Sequence, residues 1–277
     1  MKADSLPTYD RPPVLETVLG VQFDPLDSLT SAHLGAYWKA LGPEWSNPSD
    51  AVPIESQIEL FSETGTWGQV GIQLRLRQQP GIRLRIKNIA GDRMLQVQNG
   101  RLHLNWLGES GKPYPRFEVV LEEFRKEYER FRCFLSSEGI GKLSANQWEV
   151  TYVNHIPRGT VWNTPADWNF FQLLNAPREV GSSAKFESFS GEWHFEIPHK
   201  RGRIHVQWTH GSKDTSGSQE LVVLTLTSRG PVVSPDEAQS LNDGLHLGRA
   251  AIVQTFRALM SDNANSYWGL HDGDSNT

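Results

Sequence analysis

Histidine and glutamate at alternate positions are the residues of this 277-residue chain best placed to do chemistry. In the run Asn146-Gln147-Trp148-Glu149-Val150-Thr151-Tyr152-Val153-Asn154-His155-Ile156-Pro157, a period of two puts Gln147, Glu149, Thr151 and His155 on one face. Two later runs carry His194 with Glu196, and then His205, on their polar faces. If these strands are neighbours, three histidines and two glutamates converge. That donor set can in principle hold zinc or iron, or work as an acid–base pair. Two features weigh against it. Alternation forces polar side chains onto the wet face of any such strand, and no tight His-x-His or His-x3-His pair occurs in the set. The expectation is therefore no metal and no cofactor. Glu149, His155, His194 and His205 stay as candidates for a small-ligand or enzymatic site.

A basic strip is the second candidate. Arg75 and Arg77 alternate with Leu74 and Leu76, and Arg83, Arg85 and Lys87 alternate with Ile82, Leu84 and Ile86. With Arg101 and His103 they share one sheet face of the first half, the kind of positive surface that phosphates require. Arg75, Arg77, Arg83 and Arg85 are the residues expected to carry nucleic-acid or polyanion binding. Against this, Glu55, Gln57 and Glu59 alternate as well. On a strand sharing that face their acids would neutralise part of the strip, leaving ordinary cross-strand charge pairs. Cys133, the one cysteine, falls near the C-terminal end of an amphipathic helix, where the dipole opposes a thiolate. It reads as buried and structural. Trp106, Trp193 and Trp208 fall in apolar rows and read as core, whereas Trp45, Trp67 and Trp162 lie in loop-like sequence suited to a rim or partner surface. The chain has no P-loop, no GxGxxG after a strand, no HExxH and no GxSxG.

The elements that must position these residues repeat along the chain. Val14–Phe23 is a β-branched run leading to a helix over Ser31–Leu41, and Trp148–Ile156 leads to a helix opening at Thr164-Pro165 and running to Leu174. At an offset of 133 the pairs Glu16/Glu149, Phe23/Ile156, Tyr37/Phe170, Trp38/Phe171 and Leu41/Leu174 coincide. Alternating strands follow in each half, and Asn99-Gly100 signals a type I′ hairpin with Val97 opposite Leu102 and Leu95 opposite Leu104. Long helices close both halves. The first carries Phe117, Val120, Leu121, Phe124, Tyr128, Phe131 and Leu135 at helical spacing, and the second Ile252, Phe256 and Leu259. The pattern predicts an α+β fold of two duplicated β-α-β4-α units, 12–140 and 146–269. Each is a curved antiparallel sheet covered by its long C-terminal helix, in the manner of the TATA-binding-protein-like or helix-grip class. Residues 1–11 and 270–277 read as flexible tails.

Composition sets outer bounds. Twenty-seven basic against 32 acidic residues give a net charge of −5, which excludes a histone-like polycation. Mean hydropathy is −0.48, and no apolar run approaches the roughly 18 residues of a spanning helix. Without a visible secretory signal, the expectation is a cytoplasmic protein that does not engage membranes. The run Asn146–Pro157 is also where the chain resembles a sporadically distributed bacterial family of conserved hypothetical proteins defined by a TIGR model. Three more stretches are similar to that family. They are Pro12-Pro13-Val14 through Gly20-Val21-Gln22-Phe23, the run Leu102–Trp106 ahead of Tyr114-Pro115-Arg116-Phe117, and Leu245-His246-Leu247-Gly248-Arg249 through Trp268-Gly269. The resemblance implies a sporadically inherited prokaryotic gene of accessory type and transfers no catalytic residue. The expected function is a non-enzymatic binding or accessory protein acting with a neighbouring gene product. Polyanion binding by the basic face, and a small-ligand or enzymatic site near Glu149 and His155, are the alternatives.

Overall fold

Strands from both halves of the chain join edge to edge into one antiparallel sheet. A computed structural model describes residues 6–61, 81–111, 113–174, 186–213, 219–233 and 236–272. The first half contains β1 (Thr8–Tyr9), β2 (Val14–Phe23), α1 (Ser31–Leu41), β3 (Asn47–Ala51), β4 (Arg83–Lys87), β5 (Arg93–Gln98), β6 (Arg101–Leu107) and α2 (Phe117–Ser137). The second contains β7 (Ala145–Pro157), β8 (Gly191–Ile197), β9 (Gly202–Ser212), β10 (Glu220–Pro231), α3 (Glu237–Leu259), α4 (Asp262–Tyr267) and β11 (Leu270–His271). The large sheet has nine strands in the order β3-β4-β5-β6-β2-β7-β10-β9-β8, and β1 pairs with β11 in a separate ribbon. The fold is α+β. The expectation of one sheet per half is corrected: β2 and β7 pair antiparallel from Val14↔Asn154 to Phe23↔Ala145, fusing the halves into one sheet. In the second half three described strands follow the helical segment where four were expected, and residues 175–185 lie outside the described part.

Local chemistry accounts for the elements. Thr30 and His33 form a reciprocal capping pair that opens α1, whose Leu34, Tyr37 and Leu41 turn inward. Gly100, at φ +95°, turns the β5–β6 hairpin and sets Val97↔Leu102 and Leu95↔Leu104, the register its Asn-Gly signal predicts, but Asn99 does not take a positive φ, so the turn is not the type I′ expected. The helix expected over 164–174 is instead two short 3₁₀ segments, Pro165–Phe170 and Gln172–Leu174. Phe171 between them is extended and bridges to Met260, which interrupts the helix. No helix among the described residues is long and apolar enough to cross a membrane.

The core lies between the sheet and the helices, with α2 packed on β2 and β6 and α3 on β7 and β10. Trp148, Val150, Tyr152 and Ile156 of β7 face it. Helix α3 crosses the Trp148 indole at two glycines. A Cβ on Gly244 would stand 2.2 Å from Trp148 Cδ1, and one on Gly248 2.7 Å from Cζ3. The indole thus fixes how closely this helix can approach the sheet. Trp45 and Trp162 are buried, not at a rim, while Trp106 and Trp208 are core and Trp193 is half-buried against it. Trp67 lies outside the described residues. Cys133 is exposed, correcting the buried reading, because the inward stripe of α2 runs through Phe131, Phe134 and Leu135 and leaves position 133 on the outer side.

The described parts of the two expected tails, residues 6–11 and 270–272, are more structured than the flexible-tail expectation. The amides of Asp10 and Arg11 donate to the carbonyls of Gly269 and Trp268, at 3.0 and 3.1 Å. Tyr9 buries its ring edge-on to Phe256 and donates its hydroxyl to Asn265 Oδ1 at 2.8 Å. Burial of one aromatic ring drives this ordering, and the ribbon satisfies the backbone around it.

Trp148→Ala should lower unfolding free energy by about 3–5 kcal/mol in urea titration, the range for emptying a large core site. His155→Ala should leave the midpoint nearly unchanged, because its ring forms no hydrogen bond with a described residue. A harmless Trp148→Ala beside an unfolding His155→Ala would reverse the assignment of the two faces.

Candidate functional site

The face of the sheet opposite the helices collects the polar alternates of every strand. Alternation predicts that it is wet, yet its centre is buried: Gln22, Gln98, Arg101, His103, Gln147 and Glu149 are all less than a tenth exposed. The cover is an extended segment, residues 52–61, which runs across the strands after β3. Its peptide groups are paired by three glutamine side chains, one from each of three strands. Gln98 accepts from Ile54 N at 2.9 Å and donates to Ile54 O at 2.7 Å. Gln22 accepts from Gln57 N at 3.1 Å and donates to Gln57 O at 3.0 Å. Gln147 accepts from Glu59 N at 2.8 Å and donates to Gln57 O. A primary amide carries the donor and acceptor of a peptide, so these side chains stand in for a neighbouring strand. Glu55, Gln57 and Glu59, expected on a strand sharing this face, do lie over it as part of a strap.

Beneath the strap two carboxylates hold three arginines. Glu149 Oε2 accepts from Arg101 Nη1 at 3.1 Å and lies 3.6 Å from Arg229 Nε. Glu59 pairs with Arg203, with His205 Nε2 at 2.6 Å, and with Arg229 Nε at 3.6 Å. Arg229 therefore touches both acids. Burial raises the Glu149 carboxyl, but His103, Arg101 and Arg229 pull it below its ordinary range. Glu59 behaves alike, burial being outweighed by the hydrogen bond and charge of His205 and by Arg229. His103 is pushed down to about 4, first by its enclosure and then by Arg101, Arg83 and Arg229 against the pull of Glu149. It is neutral at pH 7, so the two guanidinium groups anchor Glu149. The His103 ring lies on Gly20, where a Cβ would come within 2.4 Å of Cδ2.

The residues selected from sequence do not meet at one place. Glu149 belongs to the buried network. His155 lies six residues further along β7, about 20 Å away at strand rise. β10 separates β7 from β9, so His205 joins His194 on β8 and not Glu149. Arg75 and Arg77 lie outside the described residues. Arg83 and Arg85 sit on β4, half-buried, each with a buried Nε that has no hydrogen-bond partner among the described residues. The strap leaves the accessible basic strip narrower than alternation implies.

On the helix side a cavity of about 330 Å³ opens between the start of α2, the second half of α3, β7, β10 and residues 7–14. Phe117, Ile252, Val253 and Phe256 give it apolar walls. Tyr114 and Tyr152 share a hydroxyl hydrogen bond of 2.9 Å inside it, and burial keeps both phenols protonated well beyond neutral pH. Arg249 stands at the rim, 2.9 Å from the exposed carboxylate of Glu118 and 5.1 Å above the Phe117 ring. Arg116, at φ +75°, donates to Tyr9 O at 3.2 Å and ties the N-terminal segment over the opening. Sequence reasoning missed this site, because its residues come from five separated segments. The only local signal was the Tyr114-Pro115-Arg116 stretch ahead of α2. No family model and no curated protein matches the chain.

Acid should destabilise the fold in two stages. The unfolded chain protonates His103 near pH 6.5 while the folded chain resists to about 4, so stability falls as pH drops between those values. The full effect is about 3 kcal/mol. Glu59 and Glu149, held below 4.5, add a further loss below that pH. Melting curves from pH 7.5 to 4.5 should show the first stage, and His103→Gln should flatten it. An unchanged slope in that variant would refute the assignment.

Proposed function

We propose that this chain is a non-enzymatic binding protein whose ligand is a small apolar carboxylic acid held in the cavity beneath Tyr9. The observation that carries the reading is the cavity itself: apolar walls with a few polar groups among them, Tyr114, Tyr152, Asn154 and Arg249, which is the make-up of small-molecule sites. Wall burial supplies affinity. Tyr114 and Tyr152 spend one O–H on each other, and with the Thr17 hydroxyl beside Tyr114 they form a short hydroxyl chain that a ligand oxygen can join. Glu118 is 61% exposed, so its pairing with Arg249 is weak and a ligand carboxylate can replace it at little cost. The resemblance to a sporadically inherited bacterial family supports an accessory role beside a neighbouring gene product.

The topology supports an internal duplication as the origin of this scaffold. In each half the last strand returns beside the first, β6 against β2 and β10 against β7, and a long helix follows. Val18 and Thr151, 133 positions apart, face each other across the β2–β7 ladder. A two-fold axis relating copies offset by 133 would pass between those residues. We read the result as a TATA-binding-protein-like or helix-grip arrangement.

Decanoic acid is a suitable probe for titration calorimetry. The parent should bind it, Val253→Trp should abolish binding by filling the cavity, and Tyr152→Phe should weaken it about 3–10-fold, the worth of one hydrogen bond. Undiminished binding by Val253→Trp, or none by the parent, would overturn the reading.

A second reading is polyanion binding by Arg75, Arg77, Arg83 and Arg85, supported by the half-buried Arg83 and Arg85, which alternate with buried Leu84 and Ile86 and so share one face of β4. A gel shift with duplex DNA at 50 and 200 mM salt should then show a steep loss of binding. Retention that ignores salt, or that survives replacement of all four arginines by alanine, counts against it.

A further inference from the structure

We propose that Glu192, His194 and His205 form a binding site for one divalent transition metal of the zinc type, on the last two of the described strands of the sheet. His194 on β8 and His205 on β9 are directly opposite in the antiparallel ladder, and Glu192 lies two residues before His194 on the same face. The Nδ1 atoms of the two rings are 2.7 Å apart. Glu192 Oε1 is 3.9 Å from each of them. Three donor atoms of the kinds that bind zinc therefore face one point.

The surroundings of His205 set its tautomer for this task. Its Nε2 lies 2.6 Å from Glu59 Oε1, so Nε2 carries the proton and Nδ1 keeps its lone pair toward His194. A ligating imidazole backed by a carboxylate through its other nitrogen is the usual support of a metal-bound histidine. Glu59 is itself fixed by Arg203 and Arg229, and its backbone by Gln147. Without metal, a proton on His194 Nδ1 joins the two rings. With metal, that proton moves to His194 Nε2 and the ion takes both lone pairs. Tetrahedral zinc needs its nitrogens about 3.4 Å apart, so the rings must part by about 0.7 Å and Glu192 must close by a similar amount. Glu192 is 48% exposed and β8 is the last of the described strands of the sheet, so both can move. Three protein ligands leave the fourth position of a tetrahedral ion to a water or a further donor.

The sequence grouped His194 and His205 with Glu196, Glu149 and His155; the register keeps the two histidines together and makes Glu192 their third member. The site lies on the opposite face from the cavity and stands or falls independently of it.

The test uses the untagged full chain, stripped with EDTA and titrated with Zn²⁺ against a colorimetric chelator. One equivalent should bind. His194→Ala should weaken binding at least 100-fold. Glu192→Gln, at an exposed position that keeps the fold, and Glu59→Gln, behind His205, should each weaken it about 10–100-fold. Co²⁺ should give the visible absorption of a four-coordinate ion in the parent and lose it in His194→Ala. Melting in EDTA should be the same for the parent, His194→Ala and Glu192→Gln. Zinc bound equally by parent and variants, or by none of them, would reduce the cluster to a cross-strand histidine hydrogen bond and overturn the site.

Discussion

Covering the polar face of an antiparallel sheet obliges every peptide group above it and every side chain below it to find a partner. An unmet buried donor or acceptor costs about 1–3 kcal/mol. The strap over residues 52–61 meets this demand through Gln98, Gln22 and Gln147, each at the position where its strand passes underneath. The same constraint explains the charges. A carboxylate buried alone would be prohibitive, so Glu59 and Glu149 lie within reach of Arg101, Arg203 and Arg229. Such a network adds little net stability over an apolar core, but it punishes every other placement of the strap. Its role is to specify one position.

The helix side follows from a different demand. Large aromatic rings fill the space between sheet and helices, and α3 comes closest over Trp148 at Gly244 and Gly248, where a Cβ would clash with the indole. Toward the other end of β7, Tyr152 and Asn154 replace that packing with hydroxyl and amide groups, and Asn154 donates to Leu224 O at 3.0 Å. The walls there part into the cavity, which residues 7–14 close from outside. Arg116 keeps a backbone angle that side chains seldom adopt, and its guanidinium contact with Tyr9 O helps to hold that segment in place. The two faces of β7 thus differ in kind: one buries a charge network, the other opens into the cavity.

Much of the frame was legible because it depends on local rules. Asn99-Gly100 set a register, Thr30 marked a helix start, and alternation sorted Trp148 from Glu149. The failures on the strands share a cause. A period of two says which side of a strand a residue faces, but not what lies on that side. Gln147 and Glu149 were placed on the correct face and wrongly taken as solvated, because the strap that covers them comes from a segment some 90 residues away. Cys133 was misread by a single helical position. His155 was grouped with Glu149 by parity alone, although distance along the strand separates them. The tyrosine pair needs the pairing of distant segments and left no pattern to read, whereas His194 and His205 were both candidates, and what the register added was Glu192 as their acidic neighbour in place of Glu149.

His103 shows why the network works as a unit. Its ring sits on Gly20, which could not carry a side chain there, and it faces Arg83, Arg101 and Arg229 with Glu149 as its one acidic neighbour. A proton on this ring would add a further positive charge to a group of three arginines around one carboxylate, in a place water cannot reach to screen it. The neutral ring is therefore a condition of the arrangement. It fills the floor beneath the strap without altering the charge balance that holds Arg229 between Glu149 and Glu59. Through Arg229 that balance extends to His205, on the far side of β10 from Glu149, so the histidine edge of the sheet and its buried centre share one electrostatic support.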